Sequence, residues 1–519
     1  MTDTTAPGAT NPAPAAAEPE GIQPLAKPVR TYALSLLLGI YTINFLDRQV
    51  VNILAEPIKQ DLGLADWQLG LMSGLAFALF YTVLGIPIAR LAERGNRPVI
   101  IGTAVAVWSG FTALCGVAQN FIQLILFRIG VGVGEAGCTP PAHSLISDYV
   151  PKEQRSTALA FYSMGTPIGG LLGLIFGGLI ADAYGWRVAF FVAGVPGILF
   201  AILAIFTLPE PRKELARRTN KIQASSATFP ETMKFLKGRK TFWYISFAAA
   251  IKAFIGYGHA PFTASFFLRN YPDQVQSLAS TVGATVGYNL QSIGFLGLAL
   301  GLMSGTAGAL GSWLGGFIAD KFAARDLRAQ MVAPALASLI TIPIFITAMT
   351  IGSVPLALLL LTVNGLLGTI WYGPVYGTAQ SIVPPHMRAT TSAILLFIIN
   401  LIGLGLGPLA VGLLSDYFAV GMNMGSGDGV RWSLIVSASF GLVAFYCFWR
   451  ATQTIRDDHV GLSGSALRLT GVGRATPGPW RRVRACVHMP LHKNENPFGG
   501  GILDSHRRGR GCAAKTSVL

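Results

Sequence analysis

Four ionisable residues sit where charge is expensive: Asp47 and Arg48 inside one long apolar run, Arg128 and Glu135 inside another. At the centre of a bilayer such a group costs roughly 2.5 to 3.5 kcal/mol even on permissive insertion scales, so each one retained needs an explanation. The residue types suggest what it is. A carboxylate can gain a proton, and a guanidinium presents a planar fork of donors shaped for phosphate or carboxylate. Arg128 and Glu135 are seven positions apart, two helical turns, and so share one face. Asp47 lies about sixteen residues into its run and Glu135 near the middle of its own. At about 1.5 Å per residue both come to similar depths close to the midplane. The spacing predicts a proton and anion site between two helices. Two buried salt bridges that merely hold helices together are the competing explanation. It is the weaker one, because in lipid Gly and Ala make close helix contacts at lower cost.

The second half of the chain offers different material. Lys252, Tyr257 and His259 stand in one apolar run and Asn364, Trp371, Tyr372 and Tyr376 in another, with no carboxylate among them. For the aromatic residues helix packing explains the pattern as well as substrate contact does, and His259 reads as a satisfied polar residue near a helix end. Taken together, the expected cavity is charged on one wall and aromatic on the other, which suits a small amphiphile. Other chemistries find no support in the motifs. The seven His residues are scattered, with no metal-ligand cluster and no HExxH; a Gly-x-Ser-x-Gly elbow and a Walker loop are also missing. Gly132-x-Gly134-x-x-Gly137 matches a dinucleotide fingerprint only on paper, since it lies in an apolar helical run without a preceding strand. No enzyme, cofactor, metal or nucleic-acid partner is therefore expected, and any work must draw on an existing gradient.

The elements that position these residues are membrane helices. Of 519 residues 52% are hydrophobic and only 12% charged, far from the roughly 25% charged of soluble domains. Runs long enough to cross a hydrocarbon core of roughly 30 Å recur at 31–59, 67–91, 97–118, 121–149, 155–184, 187–208, 241–270, 289–320, 329–351, 354–382, 388–418 and 431–455. This predicts an all-α protein of about twelve spans. The domain plan is a disordered tail at 1–29, a six-helix bundle at 30–208, a basic connecting loop at 209–240, a second bundle at 241–456 and a basic disordered tail at 457–519. Lys and Arg crowd one set of alternate loops, so by the positive-inside rule that set and both termini are cytoplasmic. Five cysteines show no paired spacing and read as packing residues.

The two bundles repeat one another. Val150-Pro151 followed by Arg155 matches Val383-Pro384 followed by Arg388, and Gly178-Leu-Ile-Ala-Asp182 matches Gly412-Leu-Leu-Ser-Asp416, at offsets of about 233 residues. Between the second and third runs, Ala89-Arg-Leu-Ala-Glu93-Arg94-Gly-Asn-Arg97 corresponds to Gly316-Phe-Ile-Ala-Asp320-Lys321 later on. Here the chain resembles the major facilitator superfamily, whose loop motif runs Gly-x-Leu-Ala-Asp-Arg-x-Gly-Arg; Ala89 and Glu93 depart from it, Gly316 and Asp320 keep to it. The resemblance implies two six-helix bundles rocking about a midplane site. Glu93, Arg94, Arg97, Arg155, Asp320, Lys321 and Arg388 would then belong to gating loops.

A closer resemblance rests on Asn44-Phe-Leu-Asp47-Arg48, on Arg128-Ile-Gly-Val-Gly-Val-Gly-Glu135-Ala-Gly and on Ser147-Asp148-Tyr-Val-Pro151. These resemble the Spinster branch of the superfamily, which includes proton-coupled exporters of sphingosine-1-phosphate and lysophospholipids. The resemblance implies a monomeric, multi-pass transporter of a lipid-like substrate, working with protons in a plasma or inner membrane. Asp47 and Glu135 would couple to protons. Arg48 and Arg128 would hold substrate, with Lys252, Tyr257, Asn364, Trp371, Tyr372 and Tyr376 lining the opposite wall. The organic anion:cation symporters share the Asn-x-x-Asp-Arg first helix, so a proton symporter of sugar acids is the alternative. Outside transport, a receptor or scaffold on the same fold remains.

Overall fold

The structure, a computed structural model, describes residues 25–151, 154–211, 229–323 and 326–469. Most of the expected tails and connector fall outside the described residues, as do the side chains of Glu93, Arg94 and Asp320. The described residues up to Gly464 form one compact unit; of a second, Ser465–Leu519, only a short helical stretch is described.

Eleven helices among the described residues are long and apolar enough to cross a membrane. They are α1 Lys27–Ile53, α2 Asp66–Ala92, α3 Arg97–Cys115, α4 Phe121–Tyr149, α5 Thr157–Tyr184, α6 Trp186–Thr207, α8 Ser292–Ala319, α9 Ala329–Thr350, α10 Val354–Ser381, α11 Arg388–Gly421 and α12 Gly425–His459. The place of the twelfth is taken by α7, Lys240–Asn270, whose 31 residues extend roughly 46 Å. Lys252, His259 and a scatter of Ser, Thr and Gly lower its apolar content. It nevertheless buries Phe242, Ile245, Phe262, Phe266 and Phe267 against its neighbours, as a helix enclosed by others can. Among the described residues no strand occurs. The axis that α1 follows defines two ends: a near end where α1 begins, and a far end where it stops.

Local sequence explains the breaks. The first run was expected to reach residue 59, but α1 stops at Ile53 and a separate helix, Ala55–Leu62, follows. Pro57 accounts for it: it has no N–H for the carbonyl four residues back, that of Ile53, and its ring crowds that carbonyl. Between α5 and α6 the chain turns on Gly185 alone, at φ 85°, a left-handed conformation that glycine takes without a Cβ penalty. In α11 residues Ile399–Leu406 wind as π-helix, which brings Gly403 against Ala253 of α7.

The dinucleotide-like glycines are packing residues. A Cβ on Gly132 would lie 2.7 Å from the Phe77 carbonyl oxygen of α2, and one on Gly134 2.6 Å from the Trp108 nitrogen of α3. Small residues let membrane helices approach to this degree. Helices α1–α6 make one half and α7–α12 the other. The halves meet chiefly where α5 lies on α8 and α2 on α11, with α1 against α7 between them.

Candidate functional site

The four intramembrane charges come together on the wall of the first half. Glu135 is fully buried and accepts from Arg48 Nε at 2.7 Å and Nη2 at 2.6 Å. The Arg48 guanidinium lies over Phe45 (5.1 Å), Phe77 (4.8 Å) and Tyr81 (4.6 Å), a cation–π setting that partly replaces its hydration. Asp47, also fully buried, accepts from Thr112 Oγ1 at 3.1 Å through Oδ2, while its Oδ1 has no protein partner. Arg128 is buried too. Its Nε and Nη1 have no partner among the described residues, and Phe77, at 5.4 Å, covers its face.

The pairing is therefore uneven. Arg48 is met by one oxygen of Glu135, whereas Oε1 of Glu135, Oδ1 of Asp47 and two nitrogens of Arg128 keep unmet hydrogen-bonding capacity in a place where that is costly. Arg48, Arg128, Ser73 and Phe77 border a chamber of about 30 Å³ that Tyr257 of α7 and Leu404 and Pro408 of α11 close from the second half. That volume holds about one or two waters. An anion that displaced them would meet the open donors of Arg128. Around the four charges stand residues that the sequence did not single out. Phe77, Tyr81 and Thr112 touch the charges directly, but an aromatic or Thr inside an apolar span carries no mark of that role. The one available signal is the helical period: Phe77 and Tyr81 are four apart, and Phe45 is three before Arg48.

In the second half the candidates divide. Tyr257 reaches the chamber, with Tyr372 and Tyr376 close to it. Tyr372 stacks on Trp371 at 4.1 Å, and Trp371 is buried in the core of that half. Lys252 lies two turns from His259 on one face of α7, about 140° around the helix from Tyr257. His259 Nε2 pairs with Ser437 Oγ at 2.9 Å and the ring stacks on Phe345 at 4.5 Å, so that face looks into the second half and away from the chamber. Asn364 donates to the Thr341 carbonyl at 2.7 Å.

The described loop residues act within their own halves. Arg97 is fully buried and joins Asp148 (2.6 Å), Ser144 (2.9 Å) and Glu210, tying the near ends of α3 and α4 to the segment after α6. Arg155 Nε donates to the Ser147 carbonyl and Arg388 Nε to the Gln380 carbonyl, each eight residues back, at 2.9 and 3.2 Å. The repeated Arg thus serves the last carbonyls of α4 and of α10, where a cation is favoured. Lys321 is exposed, 5.4 Å from the centre of the Phe317 ring.

Between the halves, the hydrogen bonds and ion pairs of the described residues gather at the far end. Arg269, at the end of α7, reaches Glu56 at 2.6 Å and Asp66 at 2.8 Å, and Lys59 holds Asp66 at 2.6 Å. All but Lys59 are almost wholly buried. The molecule is closed on that side.

Two helical halves around a small charged chamber, shut at one end, are the architecture of a secondary membrane transporter. The model of the Major Facilitator Superfamily matches residues 37–404, and the chain belongs to that family. Its fold resembles the crystal structure of a bacterial homolog to the human lysosomal transporter Spinster in an inward-facing and occupied conformation. That likeness has TM-score 0.72 and 32% identity, over 83% of this chain and 99% of that one. An MFS-type efflux pump of Mycolicibacterium smegmatis is 30% identical over 82% of this chain and 93% of its own length. Protein spinster of Drosophila melanogaster is 25% identical over 84% of this chain and 70% of its own. Within the superfamily the chain is of the Spinster branch.

Proposed function

We propose that this transporter moves an amphiphilic, lipid-like substrate of the lysophospholipid or sphingoid kind, coupled to protons, with the near end cytoplasmic. The observation that carries the proposal is Arg128: a buried guanidinium whose Nε and Nη1 have no protein partner, beside the unpartnered Oδ1 of Asp47 and a water-sized chamber. In this reading Arg128 and Arg48 receive the acidic head group, while Asp47 and Glu135 carry the proton. Tyr257, Tyr372 and Tyr376 supply the surface along which an apolar tail lies once the halves part. In the closed geometry the chamber is far too small for a lipid, so substrate must enter as the halves move.

Purified protein in proteoliposomes tests this. Labelled lysophospholipid should accumulate under an imposed pH gradient, and binding should tighten as the acyl chain lengthens, by up to roughly 0.8 kcal/mol for each fully buried CH₂. Binding that ignores chain length but responds to a sugar acid such as glucuronate would move the assignment to the organic-anion symporters.

A further inference from the structure

The repeat that pairs Gly178-Leu-Ile-Ala-Asp182 with Gly412-Leu-Leu-Ser-Asp416 has no part in the chamber. Both stretches lie at the far end, one on α5 and one on α11, and each aspartate leaves its own half. Asp182 accepts from the backbone N–H of Gln291 at 2.9 Å and of Gly294 at 3.2 Å, at the start of α8. Asp416 accepts from the N–H of Asp66 at 3.1 Å and of Trp67 at 2.8 Å, at the start of α2. The opening turn of a helix has N–H groups without intrahelical partners and a partial positive charge. Each carboxylate is thus an N-cap supplied by the opposite half. The residue before α2, Ala65, has no side chain able to cap. The glycine one turn earlier permits the approach. A Cβ on Gly178 would lie 2.8 Å from the Gly297 Cα of α8, and one on Gly412 would lie 2.3 Å from the Asp66 carbonyl oxygen of α2. One device occurs twice: a glycine where two helices of opposite halves touch, and four residues on an aspartate that closes over the facing helix start.

We propose that Asp182 and Asp416 are a matched pair of catches that hold the far end shut, and that together they set the balance between the two access states. Opening toward the far side must lift α5 from α8 and α2 from α11, and so strips two backbone donors on each helix of their acceptors. Opening at the near end leaves all four bonds in place. The catches therefore favour the near-facing state, by an amount set by capping rather than by any contact with substrate.

The test reads the distance between spin labels on Gln119→Cys and Asp273→Cys, exposed far-end positions in opposite halves, by electron–electron double resonance. The full chain is used in nanodiscs, with its five native cysteines replaced. Asp182→Ala and Asp416→Ala should each raise the ratio of far-open to far-closed molecules about five-fold, the equivalent of about 1 kcal/mol. The double variant should reach about 25-fold, since separate sites add. Asn caps a helix about as well as Asp, so Asp182→Asn and Asp416→Asn should return the ratio most of the way. Gly178→Leu and Gly412→Leu, which wedge the same contacts apart, should open the same end and serve if an Ala variant does not fold. Asp61→Ala is the control, an acid at the same end that pairs with Arg187 at 2.5 Å within its own half; it should leave the ratio alone. Unmoved distances in the double variant, Asn variants no better than Ala, or an equal shift from Asp61→Ala would each overturn the proposal.

Discussion

Arg48 and Arg128 look alike in the sequence, but their surroundings differ. Arg48 is held by Glu135 and by three aromatic faces, while Arg128 keeps two nitrogen atoms without partners. In the proposed function Arg128 is accordingly the better anion receptor, and Arg48 the group that an arriving anion or proton would release from Glu135. Substituting Arg128 by Lys retains the charge but loses the fork. If one charge-assisted hydrogen bond goes, at about 1.5 to 3 kcal/mol, binding should weaken roughly 10- to 100-fold by titration calorimetry; unaltered affinity for Arg128→Lys would remove the fork from the argument. The sequence could reveal these four residues because a charge in an apolar run announces itself. It could not reveal who pairs with whom, since Asp47 and Glu135 are equally plausible partners for either arginine until helix rotation is known. Tyr257 and Lys252 are a different case: five residues on one helix put them on different faces, and that much the helical period already contains.

At the scale of elements, helix number and halves were legible because apolar length is counted directly. What the sequence concealed was how a polar helix can still cross. Helix α7 falls short by composition, and it is also the helix that ends in Arg269, the cation joining the halves. Nothing in the chain marks two acids some 200 residues earlier as the partners of that cation. Removing it should be severe. Arg269→Ala leaves Glu56 and Asp66 buried, with Lys59 and the Ser415 hydroxyl still on Asp66, and breaking a buried pair costs about 3 to 5 kcal/mol. The molecule can avoid that penalty by exposing both acids to water at an opened far end. The Gln119/Asp273 label pair should therefore shift on the order of 100-fold, well beyond either aspartate catch. A lower melting temperature with no change in label distance would mean that the network only stabilises the first half. The repeat, by contrast, was visible in the sequence without its purpose. Arg155 and Arg388 proved to cap helix ends in their own halves, and Asp182 and Asp416 those of the opposite one.

In the proposed function the whole molecule links a proton to a substrate, and the site suggests how. Burial favours the neutral form of a carboxyl, whereas a nearby guanidinium favours the carboxylate. Asp47 is fully buried, with the Glu135 carboxyl and the Arg128 guanidinium close enough to act on it, so its proton depends on the charge of the one and the position of the other. An acidic head group that draws Arg128 away removes support for the carboxylate, and proton and anion then bind together. A cationic head group competes with the proton for Asp47 and drives the coupling the other way. A zwitterion engages both, so the direction of coupling reports which end of the substrate sits at Asp47. Either way one pH unit supplies about 1.4 kcal/mol per proton, enough for about a ten-fold concentration ratio at one-to-one coupling. In proteoliposomes the parent protein should build such a ratio, inside or outside according to that sign. Asp47→Asn keeps the shape and the acceptor for Thr112 but cannot ionise. It should bind substrate with near-parent affinity, exchange it across the membrane at equilibrium and build no ratio under a pH gradient. Glu135→Gln frees Arg48 of its partner and should lower the ratio while also altering affinity. If Asp47→Asn accumulates substrate as the parent does, the proton travels by another group.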